Sequence, residues 1–185
     1  MKISVFIATS VDGFIARKNG DLDWLPGSNP ESPEAAAGDV ENPGDGGYKD
    51  FADTVDCIVM GRNTVEMVMA FPGWPYEGKR LVVLSNTLKE VPSKLIGKIE
   101  LYSGSIVELV RKLESEGCKR LYIDGGKTIQ SFLDEGLITD LTITTIPVLL
   151  GEGIPLFGKI KEDIKLKHIS TTEYPGGLVQ STYEV

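Results

Sequence analysis

Residues Leu121-Tyr122-Ile123-Asp124-Gly125-Gly126-Lys127-Thr128-Ile129-Gln130-Ser131-Phe132 form an apolar run that ends in a Gly-Gly step and opens at once into a helical pattern. Few arrangements satisfy such a stretch. Adjacent glycines let the backbone approach a ligand closely, and the free N–H groups of the first helical turn, with the macrodipole behind them, favour an anion there. A strand-Gly-Gly-helix step can equally be a tight connection and nothing more. A second junction of the same kind at Cys57-Ile58-Val59-Met60-Gly61-Arg62-Asn63-Thr64 shifts the balance. Two strand-to-helix anion sites in one small domain suggest a dinucleotide.

At 185 residues the chain can bury its own core without metal or disulfide staples, and it reads as one domain spanning 1–185. The net charge of −8 argues against a nucleic-acid partner and against long-range attraction of an anionic ligand, so local cations must offset any phosphate. Cys57 and Cys118 lie far apart in sequence, match no metal spacing and read as buried free thiols; no metal site is expected. No apolar stretch approaches the ~20 residues a membrane span requires, and the apolar start is cut off by Asp12, too soon for a signal peptide. The expectation is a cytoplasmic protein with a small-molecule substrate.

Along the chain, residues 2 to 8 read as a buried strand followed by the turn at Thr9-Ser10-Val11-Asp12-Gly13. Periodicity is then lost from Ile15 to Gly47, where Trp24-Leu25-Pro26 precedes a Pro/Gly/Glu-rich tract at 27–47 that reads as a lid, a binding loop or a partly disordered segment. A short helix follows near Tyr48–Thr54, with Phe51 and Val55 facing inward. Asn63 with Glu66 predicts a capping box opening a helix over Thr64–Met69, and Ser105 with Glu108 predicts another, in a helix that Gly117 stops. Strands are expected at Arg80–Ser85, Arg120–Ile123 and Thr139–Val148. The runs Lys165–Thr172 and Leu178–Glu184 flank Tyr174-Pro175-Gly176-Gly177 and predict an antiparallel hairpin. Alternating strands and helices imply right-handed crossovers and a mostly parallel sheet, made mixed by the terminal hairpin.

This order of elements resembles the dihydrofolate reductase superfamily, and within it the reductase domain of riboflavin biosynthesis, the C-terminal (RibD C-terminal) half of bifunctional deaminase-reductases. Ser10-Val11-Asp12-Gly13-Phe14-Ile15-Ala16 looks like that domain's Ser-x-Asp-Gly-x-Ile-Ala. Met60-Gly61-Arg62-Asn63-Thr64 looks like its Met-Gly-Arg-x-Thr, and Pro147-Val148-Leu149-Leu150-Gly151-Glu152-Gly153 like its Pro-x-x-x-Gly-x-Gly. The resemblance spans nearly the whole chain. It implies an α/β three-layer sandwich and an NADPH-dependent oxidoreductase, similar to 5-amino-6-(5-phosphoribosylamino)uracil reductase. By the same resemblance Gly61, Arg62 and Thr64, with Ser85 and Asn86, would serve the cofactor's pyrophosphate and adenosine side. Gly125, Gly126, Lys127, Thr128 and Ile129 would hold the pyrophosphate from the other side, while Ala8 and Ile15 would lie against the nicotinamide. It also implies a cis Gly125–Gly126 peptide and a homodimer, the latter in keeping with the long apolar run Leu141–Leu150.

Two departures matter. Folate reductases place a carboxylate on the helix after the first loop, and the corresponding position here is Gly47, with Asp45 and Asp50 nearby. The glycine step reads Asp124-Gly125-Gly126 where the riboflavin-type enzymes usually carry Glu-Gly-Gly. Hydride transfer to a carbonyl or imine carbon needs an acid or water to complete it, and the candidates are Asp12 and Asp124. Each has a purely structural alternative, Asp12 as the Asp-Gly turn and Asp124 as a helix cap. Three functions follow: reduction of a pyrimidine- or pterin-type heterocycle by NADPH, folate reduction, or nucleotide binding without catalysis on the same fold. Trp24 could stack on a ligand or anchor its loop; Met60, Met67 and Met69 read as core, and His168 as structural or exposed.

Overall fold

The computed structural model describes residues 1–26, 46–71 and 73–185. Of the 27–47 tract only Gly46 and Gly47 fall within them, and Asp45 and Pro72 lie outside. The described elements are β1 (Lys2–Ser10), β2 (Phe14–Ala16), α1 (Tyr48–Asp53), β3 (Cys57–Gly61), α2 (Arg62–Val68), β4 (Arg80–Leu84), β5 (Glu100–Tyr102), α3 (Ile106–Ser115), β6 (Arg120–Asp124), α4 (Gly126–Asp134), β7 (Asp140–Ile146), β8 (Ile154–Pro155), β9 (Lys167–Tyr174) and β10 (Leu178–Glu184).

Eight strands form one sheet in the order β5-β4-β3-β6-β1-β7-β10-β9, and β2 pairs with β8 in a separate two-stranded ribbon. From β5 to β7 neighbouring strands are parallel. β10 runs antiparallel to both β7 and β9, which makes the sheet mixed as the terminal hairpin predicts.

The two-residue period of the strands sorts their side chains to two faces. On one, Val5, Cys57, Val59, Val82, Leu121 and Ile123 pack with Leu109 and Leu113 of α3 and Ile129, Phe132 and Leu133 of α4. On the other, Ile58, Met60, Leu81, Val83 and Tyr122 pack with Val65 and Val68 of α2, and Phe51 and Tyr48 of α1 lie against them. This is the expected α/β three-layer arrangement. Met60 is fully buried, Cys57 is buried and Cys118 half-buried, and neither cysteine forms a disulfide. Beyond β7 the helices stop: every residue of β9 except Tyr174 is exposed.

Several local expectations need correction. α2 begins at Arg62, with Gly61 as N-cap and no side-chain cap, so Asn63 and Glu66 form no capping box. β3 passes straight into α2, and Glu66 instead pairs with Arg62 at 3.4 Å. Ser105 is the N-cap of α3, but its side chain makes no capping bond; its carbonyl accepts the Leu109 N–H (3.0 Å) and the Tyr102 hydroxyl (3.1 Å). Gly117 (φ 93°) does end α3: its N–H reaches Glu114 O and that of Cys118 reaches Leu113 O, the paired bonds of a Schellman motif. All peptide bonds of the described residues are trans, the Gly125–Gly126 bond included. Gly125 turns the chain through φ 87°, ψ 133° instead, a conformation open to glycine.

Candidate active site

β3 and β6 are neighbours, yet the chain leaves them in opposite directions. After β3 it passes through α2 to β4 on one side; after β6 it passes through α4 and over β1 to β7 on the other. Such a switch point opens a crevice at the strands' carboxyl ends, where open α/β sheets bind ligands. Both glycine junctions lie there.

The two junctions interlock. A Cβ on Gly125 would collide with the Oγ1 of Thr64, and one on Gly61 would come within 3.2 Å of the Oγ1 of Thr128. Each helix thus sets a threonine over the other's glycine. Gly126 is closed in from a third direction, since a Cβ there would stand 2.9 Å from Pro155 O and 3.1 Å from Ile15 Cδ1. The β2–β8 ribbon therefore supplies a wall of the crevice. In α4 the first intrahelical bond runs from Ile129 N–H to Gly125 O (2.9 Å), which leaves the N–H groups of Gly126, Lys127 and Thr128 outside the helical ladder. Lys127 is exposed, whereas Thr128 and Ile129 are buried.

Arg62 is exposed at the start of α2, where its guanidinium donates to Thr87 Oγ1 at 3.1 Å. Thr87 belongs to the turn after β4 that Ser85 holds: the Ser85 hydroxyl oxygen accepts the N–H groups of Thr87 (3.3 Å) and Leu88 (2.8 Å), and the Asn86 carbonyl accepts Lys89 Nζ (2.8 Å). Arg62, Ser85 and Asn86 are thus brought to one rim. Ala8 is half-buried in β1, on the sheet face that Phe6 also occupies by the two-residue period.

The two candidate carboxylates follow adjacent strands and meet opposite environments. Asp12 is exposed, and its oxygens accept the N–H groups of Leu150 (3.2 Å) and Gly151 (2.7 Å). The Ser10 hydroxyl first, and then these amides, hold its pKa below the ordinary carboxylate value, against the opposing effect of desolvation. Asp12 thus ties the turn after β1 to the segment after β7. Asp124 is the last residue of β6, on the face lined by phenols. One of its oxygens accepts the Gly125 N–H at 2.8 Å and the other the Tyr76 hydroxyl at 3.4 Å. Burial pushes its pKa up, only partly offset by the Gly125 N–H and by the Tyr76 and Tyr122 hydroxyls near it. The Tyr48 hydroxyl is pushed up to about 12, by burial first and then by the Asp124 charge.

α1 supplies no acid at the place expected of a folate reductase. Gly47 is its left-handed N-cap (φ 79°), and Asp50 is exposed on its first turn. What α1 brings is aromatic: Phe51 stacks on Phe6 (centroids 4.9 Å) and Tyr48 meets Tyr122 edge-on (6.2 Å). Tyr76 and Tyr48 belong to no sequence motif, and only the aromatic-proline cluster Trp74-Pro75-Tyr76 could have signalled the first of them. The Trp24 indole nitrogen is buried and has no hydrogen-bond partner among the described residues. His168 lies on β9, exposed, 2.8 Å from Thr171 Oγ1 and edge-on to Tyr183, far from the crevice in the strand order. No metal-holding group of His, Cys, Asp or Glu occurs among the described residues, and no helix among them is long and apolar enough to cross a membrane.

Residues 1–180 match the family described as RibD C-terminal domain. The chain is 32% identical over 183 residues to the uncharacterised protein YwjB of Bacillus subtilis (strain 168), covering 98% of this chain and 97% of that one. Among solved structures, it is 43% identical to a protein of Shewanella sp. PV-4 provisionally described as a riboflavin biosynthesis protein, with a TM-score of 0.87 and coverage of 100% and 98%. A bifunctional diaminohydroxyphosphoribosylaminopyrimidine deaminase/5-amino-6-(5-phosphoribosylamino)uracil reductase of Thermotoga maritima shares the fold at a TM-score of 0.70 and 14% identity. There the match covers 99% of this chain but 56% of the other.

Proposed function

Because the chain belongs to the RibD C-terminal domain family, we propose that it is an NADPH-dependent reductase of a small heterocyclic substrate of the pyrimidine type, with a ribosylaminouracil as the first compound to test. The observation that carries this reading is the convergence at one switch point of the α4 N-terminus, the interlocked glycines and a half-buried carboxylate. The glycine cradle fits a dinucleotide: side chains are absent where a pyrophosphate would need the backbone, and the cations Arg62 and Lys127 stand exposed nearby.

In this reading the N–H groups of Gly126, Lys127 and Thr128 bind the pyrophosphate, beside the Thr64 and Thr128 hydroxyls and the backbone of Gly61, Gly125 and Ile129. Arg62, Ser85 and Asn86 bind the phosphorylated adenosine side. Ala8 and Ile15 give the nicotinamide an apolar, water-poor wall. When bound, reduced nicotinamide supplies a hydride equivalent. Asp124, kept protonated more readily than an ordinary carboxyl, delivers the proton that completes reduction of a carbonyl or imine. Asp12 supports the site by clamping the segment after β7 to the turn after β1. Folate reduction is disfavoured by the absence of a side chain at Gly47. A homodimer would cover the β9–β10 side of the sheet, over which no described helix packs and where Ile169 and Val179 are exposed, and sedimentation equilibrium tests it.

Titration of the protein with NADPH and with NADH, followed by the fluorescence of Trp24 and Trp74, tests the reading. Tight NADPH binding with weaker NADH binding is expected, followed by NADPH oxidation with 5-amino-6-(5-phosphoribosylamino)uracil or a related pyrimidine. Failure to bind either nucleotide overturns the reductase and leaves the fold.

A further inference from the structure

Among the described residues, the segment after α2 carries the one side chain that hydrogen-bonds the Asp124 carboxyl from outside its own strand and turn. Tyr76 is 8% exposed, and its hydroxyl donates to the carboxyl at 3.4 Å. The segment is fixed from outside: Trp74 packs edge-on against the Tyr76 ring (centroids 5.6 Å), and Lys98 Nζ lies 5.5 Å from the Trp74 ring centroid. Behind the Tyr76 and Tyr122 rings lies a cavity of about 190 Å³, also lined by Tyr48 and opening beside Asp53, Glu77 and Lys79. A phenol buried where phenylalanine would cover the same apolar surface bears the desolvation cost of its oxygen, so that oxygen needs a partner. The Asp124 carboxyl is the partner it has.

Resting on the reductase reading above, we propose that Tyr76 is a positioning residue for the proton donor: its hydroxyl holds the Asp124 carboxyl in place and decides how readily that carboxyl gives up its proton. The groups around Asp124 are Tyr48 from α1, Tyr76 from the segment after α2, and Tyr122 and the Gly125 N–H from its own strand and turn; no basic side chain among the described residues offsets its charge. The Tyr122 hydroxyl donates to Phe6 O at 3.0 Å, which leaves Tyr76 as the phenol committed to the carboxyl. In the reaction two electrons and a hydrogen reach the substrate carbon as hydride, and the substrate nitrogen or oxygen takes the Asp124 proton. The resulting carboxylate is steadied by the Tyr76 and Gly125 donors until it regains a proton from solvent. Tyr76 keeps its own proton throughout.

The test is carboxyl carbon NMR on protein labelled at aspartate, with Asp124 assigned from the signal lost in Asp124→Asn. Tyr76→Phe removes one oxygen and leaves the ring. It is expected to raise the Asp124 midpoint by about one pH unit, a tenfold change in proton affinity, because the bond it removes favours the charged form. Tyr183→Phe, at the far edge of the sheet, is expected to leave that midpoint unchanged. With NADPH and 5-amino-6-(5-phosphoribosylamino)uracil, Tyr76→Phe should lower kcat and move the pH profile in the same direction, with KM for NADPH unchanged. An Asp124 midpoint unmoved by Tyr76→Phe in a folded protein overturns the positioning role, even if NADPH is oxidised. A moved midpoint in a protein that binds no NADPH supports the Tyr76–Asp124 pair and overturns the reductase reading.

Discussion

The turns after β1 and after β6 contain the same dipeptide, Asp-Gly, at the ends of neighbouring strands, with glycines at nearly the same φ, 84° for Gly13 and 87° for Gly125. Their surroundings make them different devices. Around Gly13, among the described residues and apart from its two chain neighbours, no atom lies within 4 Å of where a Cβ would stand, and its aspartate is exposed and committed to two backbone amides. Gly125 faces Thr64 with no room for a methyl, and its aspartate is enclosed by phenols. A dipeptide tells how the chain turns; the helix packed against it tells what the turn is for.

Alanine at each glycine should separate the two most sharply. Gly125→Ala combines strain at φ 87° with a collision against Thr64, together about 2–5 kcal/mol of stability by denaturant unfolding, and NADPH binding should be lost. Gly13→Ala meets only the conformational penalty, about 1 kcal/mol. Equal costs at the two sites would remove the distinction. Next in size is Asp124→Asn, which keeps shape but removes the acid: NADPH oxidation should fall at least about 100-fold while NADPH affinity holds, and Asp12→Asn should leave turnover nearly unchanged. A larger loss from Asp12→Asn would reverse the assignment. Arg62→Ala should weaken NADPH by about tenfold, one charge-assisted contact, and NADH hardly at all, which a pair of fluorescence titrations can decide.

The smallest effect is set by pH. The lowered pKa of Asp12 means that its clamp contributes stability above the unfolded-state value and loses it as pH falls through the folded one. Hydrogen exchange at the Leu150 and Gly151 amides, corrected for intrinsic rates, should accelerate over that acid range. Asp124, with its pKa raised, acts with the opposite sign: its contribution is present at low pH and lost as pH rises through the folded pKa. Asp124→Asn should therefore flatten the decline in stability between the ordinary carboxylate value and that raised pKa.

How much of this could be read without coordinates follows from the range of the interactions involved. The Gly-Gly helix, the Cys57–Gly61 strand and the terminal hairpin were legible because each is written in adjacent residues: apolar period, breaker, turn. β2 and β8 were not, because a three-residue and a two-residue strand have no period, and their pairing joins segments far apart in sequence. The start of α2 was misplaced to Thr64 because Asn63 and Glu66 carry the cap pattern, while the bend of the chain directly at Gly61 leaves no loop for a cap. At the site, both aspartates were equivalent candidates on sequence alone. Only the approach of Tyr76 from one side, and of the 150–151 amides from the other, told them apart.

The crossed threonines have a consequence for how such a chain can change over generations. A side chain at position 125 meets both the hydroxyl of position 64 and the strain of φ 87°, whereas one at position 61 asks the hydroxyl of position 128 only to give by a few tenths of an ångström. At position 125 the order of substitutions therefore matters: a lineage that changes the glycine while the threonine is intact carries both penalties, and one that shrinks the threonine first carries the backbone strain alone. Laboratory evolution is expected to alter Gly61 more readily than Gly125, and to reach Gly125 through Thr64→Ala.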